Sequence, residues 1–162
     1  MTHYLVTGAS GFIGVELVKQ LVAQGEQVTT MHRGVGLAGF PEVNHFRCDL
    51  GERNMPPDLF DGIDIVVHLA GCAHQSIASV EHERVNVEGT IKLARSAAAA
   101  GLADFVFVSS VKAMGPAGES MRDEDDLSPP QSAYGRSKLA AEEALAGLAE
   151  EGAMGEIGRA HV

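Results

Sequence analysis

Thr7-Gly8-Ala9-Ser10-Gly11-Phe12-Ile13-Gly14 is entered by the apolar run Tyr4-Leu5-Val6 and left by an amphipathic run from Val15 to Gln24. That order reads as strand, glycine turn, helix. The spacing is Gly-x-x-Gly-x-x-Gly at positions 8, 11 and 14. Gly8 permits the tight turn, Gly11 lets backbone approach a pyrophosphate, and Gly14 lets the helix pack closely on the strand. The helix N-terminus adds free N–H groups and a partial positive charge. Glycine-rich turns are common, but one placed between a strand and a helix at the head of a β-α-β pattern predicts nucleotide binding.

Outward from this turn, the chain alternates strand and helix, which predicts a parallel sheet covered on both faces. Gly25 caps the first helix. Strands are predicted at Gln27–Met31, Asn44–Cys48, Ile63–Leu69 (fully buried) and Phe105–Val108. Met55-Pro56-Pro57 precedes a short helical piece near Leu59. A long alanine-rich helix is predicted from Ala78 to Ala100, and a last helix from Tyr134 to Glu150. Glu119 to Asp126 reads as an acidic, solvated loop.

The bulk composition bounds the partners. With 162 residues the chain suffices for one domain with a real core. A net charge of −10 offers no basic face for nucleic acid. No apolar run reaches the length of a membrane span, so no membrane partner is expected. Met1-Thr2-His3 leads straight into a strand, without a signal peptide. Cys48 and Cys72 lack metal-like spacing and read as free thiols in a reducing cytoplasm. His68 reads as a hydrogen-bonded core residue. His74 and His82 read as non-ligands, and no metal is expected.

The chemistry-bearing stretch is Ser132-Ala133-Tyr134-Gly135-Arg136-Ser137-Lys138. Tyr134 and Lys138 share one helical face. A nearby ammonium favours the phenolate and is expected to lower the phenol's pKa, giving an acid/base device. Ser109-Ser110 follows the fifth strand, and in open parallel sheets ligands collect at the carboxyl ends of strands.

Together these pieces resemble the extended short-chain dehydrogenase/reductases, the NAD-dependent epimerase/dehydratase family. The carrying stretches are TGASGFIG, Asp49-Leu50, HLAG at 68–71, Asn86-Val87-Glu88-Gly89-Thr90, FVFVSS at 105–110 and SAYGRSK at 132–138. The resemblance implies a Rossmann-like, doubly wound α/β fold, incomplete at its C-terminal edge because the substrate domain is missing. It implies Ser110, Tyr134 and Lys138 as the catalytic set, Ser110 being favoured over Ser109 by its spacing to Gly115. It implies that Phe12 and Ile13 meet the pyrophosphate and Asp49 and Leu50 the adenine. Leu69, Ala70 and Gly71 line the cofactor, with Asn86 supporting that strand end. The cofactor is NAD or NADP. His32 stands where NAD enzymes place an acid for the ribose, and Arg33 after it favours NADP.

The family acts on nucleotide-linked sugars by hydride transfer. Its 4,6-dehydratases carry an acidic pair where this chain has Val111-Lys112. The expected activity is therefore a nucleotide-sugar epimerase or 4-keto-reductase. The competing class is a dinucleotide-binding sensor without catalysis. By the same resemblance, the long helix and the Tyr134 helix form a homodimer interface in the whole protein.

Glu156-Ile157-Gly158-Arg159-Ala160-His161-Val162 fits neither helix nor strand. Read back as gag-atc-gga-aga-gca-cac-gtc, it resembles a widely used sequencing adapter. The expected organisation is thus a partial NAD(P)-binding domain over 1–155 and an artefactual tail over 156–162, with a disordered natural terminus as the alternative. On that reading the fifth strand is an uncovered, aggregation-prone edge, and the 162-residue chain alone binds cofactor poorly and turns over nothing.

Overall fold

The computed structural model describes residues 1–51, 55–73, 78–116, 128–152 and 156–161. The expected loop Glu119–Asp126 and His74 lie outside these. The elements are β1 (His3–Thr7), α1 (Phe12–Ala23), β2 (Gln27–His32), β3 (Asn44–Arg47), β4 (Ile65–His68), α2 (Ser79–His82), α3 (Thr90–Ala99), β5 (Asp104–Ser109), α4 (Ala133–Glu150) and β6 (Glu156–His161). Single 3-10 turns occupy Pro57–Phe60 and Val111–Met114.

All strand pairs are parallel, in the order β3-β2-β1-β4-β5-β6. Residue alternation along β1 divides the core. Leu5 joins Leu93, Ala97, Phe105 and Leu145 on the α3–α4 side. Val6 joins Val18, Leu21 and Val28 on the α1 side. The doubly wound α/β expectation holds. The order reverses between β1 and β4, and it is at such a reversal that strand ends leave a crevice.

Three sequence expectations are corrected. β4 is shorter than Ile63–Leu69, and Asp64 is exposed, accepting the His3 N–H at 2.8 Å. The Ala78–Ala100 helix is interrupted by a wide-turned π segment, Glu83–Gly89. There Val85, Asn86, Val87 and Gly89 are all buried. Four inward positions out of five exceed what a normal helical stripe turns to one side. Finally, the tail is a strand: Glu156–His161 pairs with β5 from Asp104↔Glu156 to Ser109↔His161. β5 is therefore not the sheet edge. Its free backbone groups take up an extended segment that follows α4, as any non-proline stretch can supply.

Candidate active site

The glycine turn closes on the end of β4. Gly8 has φ +69°, and a Cβ there would lie 2.7 Å from the Ala70 nitrogen. A Cβ on Gly14 would lie 2.3 Å from the Gly8 carbonyl oxygen. Only glycine lets α1 start this close to the turn. The Gly11 N–H donates to the Gly8 carbonyl at 3.0 Å, and the Val15 N–H to Gly11 at 3.0 Å. Gly11 supplies no side-chain cap, so the first-turn amides of α1 are left for another acceptor.

Beside this turn lies a groove of about 390 Å³. Gly8 and Gly11 form its floor. His32 and Arg33 close it from the end of β2, Asp49 and Leu50 from the end of β3. Leu69, Ala70 and Gly71 follow from β4. Among the described residues, the buried His32 Nδ1 has no hydrogen-bond partner. Phe12 and Ile13 do not face the groove: their side chains open outward, Phe12 at 97% exposure. Gly14 is buried behind the turn.

A buried polar chain ties the strand ends together. The Ala70 N–H donates to Thr7 Oγ1 at 3.2 Å, and Thr7 Oγ1 meets His68 Nδ1 at 2.6 Å. His68 Nε2 meets Thr90 Oγ1 at 2.8 Å, and that hydroxyl donates to the Asn86 carbonyl at 2.7 Å. Since Thr90 has given its hydrogen away, it accepts from Nε2–H. His68 is then the neutral Nε2–H tautomer, and Thr7 donates to Nδ1. Burial, and secondarily the charge of Lys138, hold the His68 pKa down at about 3.

Asn86 links this chain to α4. Its Oδ1 accepts the Cys72 N–H at 2.7 Å, while Nδ2 donates to the Cys72 carbonyl at 3.0 Å and to Ser137 Oγ at 2.9 Å. Ser137 in turn donates to the Tyr134 carbonyl at 2.8 Å. Asn86 thus connects the groove wall at Cys72 to the first turn of α4. Ser132 caps that turn, accepting the Gly135 N–H at 2.9 Å.

Tyr134 interacts with Ser110 where β5 ends and α4 begins, and Lys138 reaches back to Val108 of the same strand. Ser110 Oγ accepts the Lys112 N–H at 3.3 Å, capping the 3-10 turn after β5. Lys138 Nζ donates to the Val108 carbonyl at 2.7 Å and lies 3.9 Å from the Phe107 ring centroid. Burial lowers the Lys138 pKa to about 8, against the pull of the Glu142 carboxylate. The expected lowering of the Tyr134 phenol by Lys138 is corrected. Half-burial raises it, and only the interaction with Ser110 opposes this. The Lys138 ammonium is engaged on β5 instead.

A model of the family described as NAD dependent epimerase/dehydratase matches residues 4–157. This chain belongs to the NAD-dependent epimerase/dehydratase family. It is 29% identical over 161 residues to the UDP-glucose 4-epimerase of Vibrio cholerae, covering 93% of this chain and 48% of that enzyme. It is 34% identical to the dTDP-glucose 4,6-dehydratase of Streptomyces griseus over 85% of this chain and 46% of the relative. Among solved structures, MoeE5 in complex with UDP-glucuronic acid and NAD superposes with a TM-score of 0.85 at 34% identity. That match covers 98% of this chain and 53% of MoeE5. The chain spans about half the length of these relatives.

Within this epimerase/dehydratase frame, sequence reasoning missed several residues at the site. Lys112 places its ammonium 5.8 Å from the Tyr134 ring centroid, and the His82 ring lies 6.1 Å from the same ring. His82 Nδ1 also bonds the Cys72 carbonyl at 2.9 Å. Lys112 was legible only as the residue standing where dehydratases carry an acid. Ser109 and Glu142 are hydrogen-bonded to each other behind Lys138. Their signal was Glu142 standing one helical turn after Lys138.

Proposed function

We propose that this chain is the dinucleotide-binding part of a nucleotide-sugar epimerase or 4-keto-reductase that works by hydride transfer. The single observation that supports the reading is that the Tyr134 phenol interacts with Ser110 and Lys138 reaches the Val108 carbonyl, both at the carboxyl end of β5. The turn fits a dinucleotide. Its helix N-terminus has no side-chain cap, and the space a Cβ would fill at Gly8 and Gly14 is taken by neighbouring backbone. Gly8, Gly11 and the first-turn amides of Phe12, Ile13 and Gly14 would hold the pyrophosphate. Asp49 and Leu50 would flank the adenine, and Leu69, Ala70 and Gly71 would line the path to the nicotinamide, with Asn86 holding that strand end.

When bound, the nicotinamide supplies a two-electron hydride acceptor and donor. The protein's residues manage the proton and the geometry. Ser110 Oγ orients the substrate hydroxyl by a hydrogen bond. Tyr134 Oη takes the hydroxyl proton as carbon–hydrogen cleavage builds a carbonyl, and returns it in the reverse direction. Lys138, protonated, stabilises the phenolate and holds the ribose that bears the nicotinamide. The raised pKa of the free phenol means that this electrostatic help is needed at the moment of proton transfer. One pass gives a dehydrogenase or reductase. Reduction on the opposite face of the transient ketone gives an epimerase.

The MoeE5 structures hold NAD with a UDP-sugar, which supports the cofactor and substrate class. His32 and Arg33 at the ribose end of the groove support a preference for NADP. Binding titrations decide this: tighter NADPH than NADH supports the Arg33 reading, and the reverse refutes it. A homodimer through the Ser79–Ala99 stretch and α4 belongs to the proposal for the whole protein, with sedimentation of that protein as its check. The function is tested by incubating the product of the complete reading frame with UDP-sugars and following reduced-nicotinamide absorbance and sugar products. Cofactor binding without turnover would favour the sensor reading.

A further inference from the structure

Behind the proposed catalytic lysine lies a second pair that the mechanism above leaves unused. Ser109 and Glu142 are both buried, at 1% and 6% exposure, and the Ser109 hydroxyl donates to Glu142 Oε1. A buried carboxyl is costly unless it is bonded and near a positive charge. Glu142 stands one helical turn after Lys138 on the same buried face of α4. The ammonium reaches the Val108 carbonyl, and the carboxyl reaches the Ser109 hydroxyl, on consecutive residues of β5. The strand end thus holds both side chains of one helix face on consecutive residues. The ammonium also lies 3.9 Å from the Phe107 ring centroid.

We propose that Glu142, held by Ser109, is the positioning residue and buried counter-ion that keeps Lys138 charged and aimed at the reaction centre. The inference rests on the hydride-transfer reading of the same site. Burial pushes the Lys138 ammonium toward its neutral form, and the Glu142 carboxyl acts against this. Other groups around the ammonium do not replace the carboxyl. His68 faces it from β4 and is neutral. Tyr134 stands on α4 itself, while Lys112 and His82 lie against the Tyr134 ring. The π segment presents Asn86 to α4, and α3 turns Leu93, Ala94 and Ala97 inward. β6 brings His161 into backbone register with Ser109.

The test reads Lys138 directly. The chain has four lysines, Lys19, Lys92, Lys112 and Lys138, so carbon-13 labelling at lysine Cε gives a resolvable titration, with Lys138→Met assigning the signal. In Glu142→Gln the Lys138 midpoint is expected to fall by about one pH unit. Ser109→Ala is expected to move it the same way by less, and Glu142→Asp to restore part of it. The pH dependence of turnover in the complete protein should move with this midpoint, with little change in KM for the sugar. A purely structural Glu142 would lower stability and leave the lysine titration where it was. An unmoved midpoint in folded Glu142→Gln overturns the proposal, or in Ser109→Ala if the first variant does not fold. Absence of turnover in the unsubstituted protein would instead refute the hydride-transfer reading, and the lysine titration would still stand or fall by itself.

Discussion

His68 makes stability depend on pH in a calculable way. It is fully buried, with its Nδ1 on Thr7 and its Nε2 on Thr90, and its pKa is held at about 3 against an ordinary 6.5. The folded chain therefore refuses a proton that the unfolded chain accepts. For a group whose folded pKa is depressed, the stabilisation is full above the unfolded value and drains away as pH falls toward the folded value. Between pH 7 and pH 5 the unfolded state gains about 2 kcal/mol from this one proton, and the loss continues at about 1.4 kcal/mol per pH unit down to about pH 3. His68→Gln keeps a neutral side chain able to donate and accept but cannot titrate. Urea unfolding of both proteins across this range isolates the effect. The stability gap in favour of the unsubstituted chain should shrink by about 2 kcal/mol from pH 7 to pH 5. A gap that stays constant with pH would refute both the burial argument and the neutral tautomer.

Other consequences follow from the same contacts. Gly14→Ala would press a methyl onto the Gly8 carbonyl and the Ala9 backbone, at 2.3 and 2.7 Å. A loss of about 1–3 kcal/mol in unfolding free energy and weakened dinucleotide binding are expected, and unchanged NADH titration would contradict this. In the complete protein, Tyr134→Phe should lower kcat by at least about a hundredfold, as expected for loss of a general acid–base group, while leaving NADH binding close to normal. A near-normal kcat would remove Tyr134 from the mechanism.

What was legible in the sequence was local. Strand, turn and helix around Gly8 follow from spacing and glycine sterics, and the alternation of elements gave the parallel, doubly covered sheet. Asn86, expected to support the β4 end, bonds the Cys72 backbone beyond that strand. Long-range burial decided the rest. From the π segment Asn86 reaches Cys72 and Ser137 while Gly89 packs onto Leu50, contacts that no helical periodicity announces. The sign of the Tyr134 shift failed because two residues on one face need not touch: Lys138 turned to β5 and left the phenol to burial. The tail was read as unstructured from its own pattern, whereas a strand at a sheet edge is specified as much by the neighbour's open backbone as by its own residues.

The central claim is that a phenol, an ammonium and a hydroxyl surround a nicotinamide anchored by the glycine turn. A crystal structure of the complete protein with NAD and a UDP-sugar tests it most directly. The account predicts the pyrophosphate on the first turn of α1, Lys138 on the nicotinamide ribose, and Tyr134 Oη and Ser110 Oγ on the reacting sugar hydroxyl, whose carbon lies about 3–3.5 Å from the nicotinamide. A nicotinamide bound away from the end of β5, or a Tyr134 oxygen turned out of the groove, would contradict it.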